Sequence, residues 1–130
     1  MNANRLPKLS YYSPESLDTV LEIKKDLGNQ CVLLAGGTDL LPLLKRRNVS
    51  ARHVVSLKRV PGLRQIQYSQ EEGLMVGAAV TLRELVEQEA VSKAFPLLAK
   101  AALSVAYNQI RNMGTLVGNV CLDNRCSYFN

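Results

Sequence analysis

The 130-residue chain has no tryptophan, one histidine (His53) and three cysteines (Cys31, Cys121 and Cys126). This scarcity leaves little material for a zinc cluster or a Ser-His-Asp arrangement, so hydrolytic catalysis is not expected. The five tyrosines and two phenylalanines show no stacking pattern beside the basic residues, which argues against nucleic-acid binding. The odd cysteine count predicts free thiols or cofactor ligands rather than a disulfide framework.

Long apolar runs are also missing. Residues 1–10 alternate polar and apolar side chains and lack the continuous apolar stretch of a signal peptide. The apolar run at 32–35 is far too short to cross a bilayer. We therefore expect a soluble, cytoplasmic protein without a membrane partner.

Basic residues outnumber acidic residues by 16 to 11, which gives a net charge of +5. Three of them are adjacent, at 45–47. Such a run is typical of a helix carboxyl end, and attraction of a phosphate is the alternative interpretation.

What the chain does contain is a pair of glycine-bearing loops beside apolar segments, AGGTD at 35–39 and RNMGTLVGN at 111–119. Glycine exposes backbone amides that can hold phosphates. We predict that amides freed at Gly36, Gly37 and Gly118 converge on one diphosphate group. The structural alternatives are a tight turn for the first loop and a connector for the second.

Neither common nucleotide motif fits the first loop. A Walker A loop requires Gly-Lys-Ser/Thr, whereas Thr38 and Asp39 follow Gly37. A dinucleotide fingerprint requires an acidic residue about twenty positions further on, where this chain has Lys58.

The first half of the chain predicts a βαβ unit with parallel strands. The segment 13–28 is predicted to be an amphipathic helix with Ser13 as its N-cap. Apolar runs at 31–35 and 53–57 predict strands, and the leucine-rich segment 40–47 predicts a helix between them.

The second half predicts antiparallel pairing of strands at 65–69 and 74–78 across a short turn. The TLRE sequence at 81–84 is a capping box, which predicts a helix that continues to about residue 90. A further helix is predicted at 95–107.

Three segments resemble, in the same order, the FAD-binding (medium or β) subunit of the molybdenum hydroxylase family: LLAGGTDLLP at 33–42, GAAVTL at 77–82 and IRNMGTLVGN at 110–119. The resemblance implies an α+β fold, a PCMH-type FAD-binding domain. Its small parallel βαβ subdomain would span 1–60 and a partial antiparallel-sheet subdomain 61–130, with FAD in the cleft. Family members continue into a C-terminal domain, so we expect a truncated chain.

The resemblance also implies which residues contact FAD. They are Leu33, Leu34, Ala35, Gly36, Gly37, Thr38, Asp39, Thr115, Gly118, Asn119 and Asp123. Val117 departs from the family pattern, which has glycine there, and a β-branched residue does not readily adopt positive φ. No catalytic side chain is implied, because the flavin carries the redox chemistry.

The tail at 119–130 is similar to one branch of the family, the β subunit of 4-hydroxybenzoyl-CoA reductase. This similarity implies a [4Fe-4S] cluster in the full-length subunit, with Cys126, or else Cys121, as its first ligand. Two cysteines are too few for a closed cluster, and a structural pair is the alternative. Cys31, inside an apolar strand, is predicted to be a buried small side chain.

The function that the resemblance implies is flavin electron transfer in an oxidoreductase. FAD would relay electrons between an iron–sulfur subunit and an external donor or acceptor, while a molybdopterin subunit of the same hetero-oligomer acts on the substrate. Two alternatives stay open: an assembly module that no longer binds FAD, and a nucleotide-phosphate-binding module unrelated to flavin.

Overall fold

The computed structural model describes residues 5–122. The chain divides into two compact units, the first ending at Pro61 and the second beginning at Gly62. None of the helices in the described part is long and apolar enough to cross a bilayer.

The first unit contains one parallel sheet with strand order β1-β3-β2. Its elements are β1 (Ser10–Tyr12), α1 (Leu17–Leu27), a 3₁₀ turn (Gly28–Gln30), β2 (Cys31–Leu34), α2 (Leu40–Lys45) and β3 (His53–Ser56). Parallel pairing of β2 with β3, separated in the chain by α2, confirms the predicted strand-helix-strand pattern. The sequence pattern did not predict β1, which pairs with the other edge of β3.

The central strand β3 accounts for much of the core of the first unit. Val54, Val55 and Ser56 are all buried, as expected for the central strand of a parallel sheet. Cys31 is 1% exposed, which confirms its predicted burial. The other buried apolar residues of this unit are Val20, Leu44, Leu57 and Val60.

Helix α1 begins three residues later than predicted. Its N-cap is Ser16, whose Oγ accepts a hydrogen bond from the Thr19 amide at 3.1 Å, rather than Ser13. Pro14 is buried, so the Ser13-Pro14 pair packs against the unit instead of opening the helix. The helix ends at Gly28, as predicted, where the Gly28 amide donates to the Lys24 carbonyl.

The basic run at 45–47 ends α2, which confirms the helix-end interpretation. Arg47 has a φ of +62°; its amide donates to the Leu44 carbonyl at 3.2 Å, and the Asn48 amide donates to the Leu43 carbonyl at 3.0 Å. These two bonds form a Schellman motif. The Arg47 guanidinium adds a third bond, to the Leu44 carbonyl, which helps offset the cost of about 1–2 kcal/mol for a left-handed residue.

The second unit combines a two-stranded antiparallel sheet with short helices. Its elements are β4 (Ile66–Ser69), β5 (Gly73–Val76), α3 (Leu82–Glu87), α4 (Glu89–Ala94), α5 (Pro96–Ser104), α6 (Asn108–Arg111) and α7 (Leu116–Val120). The hairpin of β4 and β5 confirms the predicted antiparallel pairing. The core of the second unit is formed by Val80, Leu82, Leu85, Val91 and Ala102.

In the second unit, two helices end earlier than predicted and one segment predicted to be a loop is helical. The helix expected to reach about residue 90 ends at Glu87, because Gln88 has an extended backbone and α4 starts in a new direction that buries Val91. The helix expected at 95–107 ends at Ser104. Residues 116–120, predicted to lie in the second glycine-bearing loop, form α7.

The predicted capping box at the start of α3 is confirmed. The Glu84 amide donates to Thr81 Oγ1 at 3.1 Å, and the Thr81 amide donates to Glu84 Oε2 at 2.9 Å. The Arg64 Nε donates to Glu84 Oε1 at 2.8 Å. Burial raises the pKa of Glu84, but the hydrogen bonds from Arg64 and Thr81 outweigh it, so the pKa lies below its ordinary value.

We expect Glu84→Gln to lower the free energy of unfolding by about 0.5–1 kcal/mol at neutral pH, because it removes a partly exposed ion pair. A carboxylate with a depressed pKa stabilises the fold above its ordinary pKa, and this contribution is lost as pH falls through the lowered value. The difference between wild type and variant should therefore shrink in acid. Urea unfolding at neutral and acidic pH measures it. Glu71→Gln, on the exposed hairpin turn, is the control. If the difference in the free energy of unfolding between wild type and Glu84→Gln were the same at both pH values, the lowered pKa of Glu84 would be contradicted.

Candidate cofactor-binding site

The first glycine loop leaves the sheet where β2 ends and leads into α2. Gly37 has a φ of +80°, which L side chains rarely adopt. A Cβ at this position would lie 3.0 Å from Leu34 Cδ1 and 3.3 Å from Leu41 Cδ1. The loop is thus folded back tightly over the end of β2, and only glycine suits both the backbone angle and the space.

Backbone amides of this loop are uncommitted. Within residues 5–122, the amides at 36–39 donate no hydrogen bond to a protein acceptor. The next amides are used, since Leu41 donates to the Gly37 carbonyl at 3.2 Å and Leu43 to the Asp39 carbonyl at 3.1 Å. Successive free amides beside a residue without a side chain fit an anionic group such as a diphosphate.

The loop also carries one negative charge. Asp39 precedes α2, but its side chain makes no capping hydrogen bond; Thr38 Oγ1 donates to Asp39 Oδ2 at 3.3 Å. In the described part of the chain, no ion pair is found for this carboxylate. Its oxygens can accept hydrogen bonds from hydroxyl groups of a ligand, but its charge opposes an anion.

The remaining residues of the first predicted set belong to the same strand end. Leu33 is 43% exposed on the edge strand β2, and Leu34 and Ala35 are half-buried. The Leu34 carbonyl accepts a hydrogen bond from the Leu57 amide at 2.9 Å. The structure therefore brings residues 33–39 together with the turn that follows β3.

The second glycine loop is arranged differently, because the amides of Gly118 and Asn119 have internal acceptors. The Gly118 amide donates to Thr115 Oγ1 at 3.0 Å, and the Asn119 amide donates to the Thr115 carbonyl at 3.0 Å. Thr115 is 4% exposed and is the N-cap of α7. The expectation of a free amide at Gly118 is therefore wrong, and a threonine three residues before that glycine was the signal for the cap.

Val117 lies inside α7 and has a helical backbone. Its β-branched side chain therefore does not have to adopt positive φ, and this departure from the family pattern creates no backbone conflict here.

Arg111 fixes the entry to the second loop, a role that the sequence did not reveal. Its Nη1 donates to the carbonyls of Val105 and Ala106 at 2.9 and 3.0 Å, and its Nη2 donates to Asn108 Oδ1 at 2.6 Å. Ala106 has a φ of +44°. The guanidinium thus holds together a strained turn, and no short-range sequence signal announces these carbonyl acceptors.

Two predicted site residues, Asp123 and Cys126, lie outside the described residues. Cys121 is exposed with a free thiol. Across residues 5–122, no group of three or more His, Cys, Asp or Glu side chains could hold a metal ion.

Residues 7–129 match the family described as "FAD binding domain in molybdopterin dehydrogenase". The chain belongs to this family of FAD-binding domains.

Two relatives show the kind of protein involved. The chain is 36% identical over 116 residues to the carbon monoxide dehydrogenase medium chain of Hydrogenophaga pseudoflava, covering 88% of this chain and 39% of the relative. It is 37% identical over 112 residues to the xanthine dehydrogenase FAD-binding subunit of Escherichia coli O157:H7, covering 86% and 38%. The chain thus spans about two fifths of the length of these oxidoreductase subunits.

Solved structures agree with this assignment. A carbon monoxide dehydrogenase from Hydrogenophaga pseudoflava matches with a TM-score of 0.83 and 36% identity, covering 89% of this chain and 40% of the other. Quinoline 2-oxidoreductase from Pseudomonas putida 86 matches with a TM-score of 0.83 and 37% identity, with the same coverage. These matches confirm the expected α+β fold class.

Proposed function

We propose that this chain is the FAD-binding part of an electron-transfer subunit in a molybdenum-containing oxidoreductase. The observation that carries the proposal is the first glycine loop, whose amides at 36–39 have no acceptor among residues 5–122, in a domain of a FAD-binding family. FAD, when bound, supplies the acceptance and release of electrons. The protein has to bind and orient it.

Each part of the first loop has a role in this proposal. The amides of Gly36, Gly37 and Thr38 donate to the diphosphate, while the missing side chain of Gly37 keeps the approach open. The Asp39 carboxylate accepts hydrogen bonds from ligand hydroxyl groups. Leu33, Leu34 and Ala35 supply the strand end that fixes the loop in place.

The second loop contributes in another way. Gly118 is exposed and has no side chain, so it offers close approach to the cofactor rather than an amide donor. Thr115 holds Gly118 in place by accepting a hydrogen bond from its amide. Asn119 and Asp123 are further FAD contacts in the proposal. The boundaries proposed for the two FAD-binding subdomains are 1–60 and 61–130.

The finer assignment is to an enzyme like 4-hydroxybenzoyl-CoA reductase, with iron–sulfur and molybdopterin subunits as partners in a cytoplasmic hetero-oligomer. The tail at 119–130 supports the resemblance to this enzyme, whereas the relatives that are medium chains or FAD-binding subunits support only the hetero-oligomer. In this assignment Cys126, or else Cys121, ligates a [4Fe-4S] cluster of the full-length subunit. The free thiols of Cys31 and Cys121 are in keeping with a reducing compartment.

A second candidate function is an assembly module that does not bind FAD. It is favoured by large apolar side chains at the surface of the second unit, since Leu97, Val120 and Tyr107 are 82%, 75% and 66% exposed. Exposed apolar side chains of this size are common at protein interfaces.

Titration of the purified chain with FAD, followed by quenching of flavin fluorescence, separates the two functions. We expect saturable binding with a Kd in the micromolar range, that is, about −8 kcal/mol. A flat titration, with the chain folded by circular dichroism, would favour the assembly module. Displacement of FAD by ATP at ATP concentrations near the Kd measured for FAD would instead indicate a general nucleotide-phosphate site.

A further inference from the structure

A turn carrying two cations follows β3, next to the first glycine loop. The Val60 amide donates to the Leu57 carbonyl at 3.2 Å, which closes the turn and places Lys58 and Arg59 at its corners. The Leu57 amide donates to the carbonyl of Leu34, the last residue of β2. The turn is therefore attached to the residue from which the loop departs.

The glycine loop folds back over that same residue. A Cβ on Gly37 would lie 3.0 Å from Leu34 Cδ1, so the loop backbone and the turn share Leu34 as a neighbour. Adjacent strands are about 4.8 Å apart. A lysine on its flexible four-carbon stem can bridge such a spacing.

Of the two cationic side chains in the turn, only that of Lys58 is available to contact a ligand. Arg59 forms an ion pair with Glu15. Lys58 is exposed, and in the described chain its ammonium has neither a hydrogen bond nor an ion pair. The Lys58 amide donates to Ser56 Oγ at 3.4 Å, and Ser56 is fully buried, so the backbone that carries this ammonium is anchored.

An anion at the loop needs such a charge. Backbone amides supply only partial positive charges, and the Asp39 carboxylate in the same loop repels a diphosphate. Lys58 also stands where dinucleotide-binding folds have an acidic residue, so this strand end has the opposite charge.

We propose that Lys58 is a FAD-binding residue whose ammonium neutralises the diphosphate held by the amides at 36–39. This inference rests on the proposed FAD binding and assigns the lysine a contact at that site.

The test compares Lys58→Gln with Lys45→Gln, which changes an exposed lysine of the basic run 45–47 at the end of α2. FAD affinity is measured by flavin fluorescence at several salt concentrations, and ADP and adenosine are used as competitors. We expect Lys58→Gln to weaken the binding of FAD and of ADP about tenfold, because a charge-assisted contact is lost. The affinity for adenosine, which has no phosphate, should be unchanged. The salt dependence of FAD binding should become shallower, while Lys58→Arg and Lys45→Gln bind like wild type.

The outcomes separate this inference from the proposed function. If wild type binds FAD and Lys58→Gln has the same affinity and the same salt dependence, the role of Lys58 is overturned and FAD binding stands. An equal loss in Lys45→Gln also overturns it, because the effect would then be a general one of net charge. If folded wild type binds no FAD, the proposed function fails, and with it this inference. Thermal melting without ligand verifies that each variant is folded.

Discussion

Gly37→Ala is expected to weaken FAD binding by about a hundredfold, or roughly 2.7 kcal/mol. An alanine here must hold a φ of +80° and place its Cβ 3.0 Å from Leu34 Cδ1 and 3.3 Å from Leu41 Cδ1. The left-handed angle alone costs about 1–2 kcal/mol. We expect the loop to relieve the backbone strain by shifting, which would move the amides at 36–39 away from the positions at which they would bind the diphosphate.

The measurement is the Kd for FAD from flavin fluorescence, with Gly62→Ala as the matched control. Gly62 has nearly the same φ, +81°, but nothing lies within 4 Å of a Cβ added to it. Both variants should lose a similar amount of stability through backbone strain, whereas only Gly37→Ala should lose affinity for FAD. Equal FAD affinities in the two variants would contradict the proposed role of the first loop.

Leu85→Ala is expected to lower the free energy of unfolding by about 3 kcal/mol. Leu85 is 0% exposed, in α3 and within the core of the second unit, so truncation removes buried apolar contacts and leaves a cavity. Helix propensity contributes little, because alanine and leucine are both good helix formers.

Urea unfolding with Leu97→Ala as the control measures this effect. Leu97 is in α5, is 82% exposed, and its truncation should change the free energy of unfolding by less than about 0.5 kcal/mol. Similar losses for the two variants would show that α3 does not pack into the core as described.

The strands and caps that depend on near neighbours in the chain could be predicted. The charged, glycine-containing turn between 65–69 and 74–78 predicted the antiparallel hairpin, and the TLRE sequence at 81–84 predicted the start of α3. The basic run at 45–47 gave the end of α2. In each case the deciding interactions lie within a few residues of one another in the chain.

Helix boundaries and strands that depend on burial could not be predicted from the sequence with the same accuracy. Only the tertiary structure shows Pro14 buried and the α1 cap moved to Ser16, or α3 and α4 separated at Gln88 so that Val91 reaches the core. Strand β1 is a strand because β3 offers it a free edge.

The same division applies to the candidate site. The family, the first glycine loop and its position between β2 and α2 could be read from the amino-acid sequence, because glycine and apolar patterns are local and specific. Folding places Gly37 against Leu34 and attaches the turn bearing Lys58 beside it. Folding also leaves no space for a Cβ on Gly77, which would lie 2.4 Å from the Leu63 carbonyl oxygen. The reason is physical: these contacts join residues far apart in the chain, and they exist only after the chain has folded.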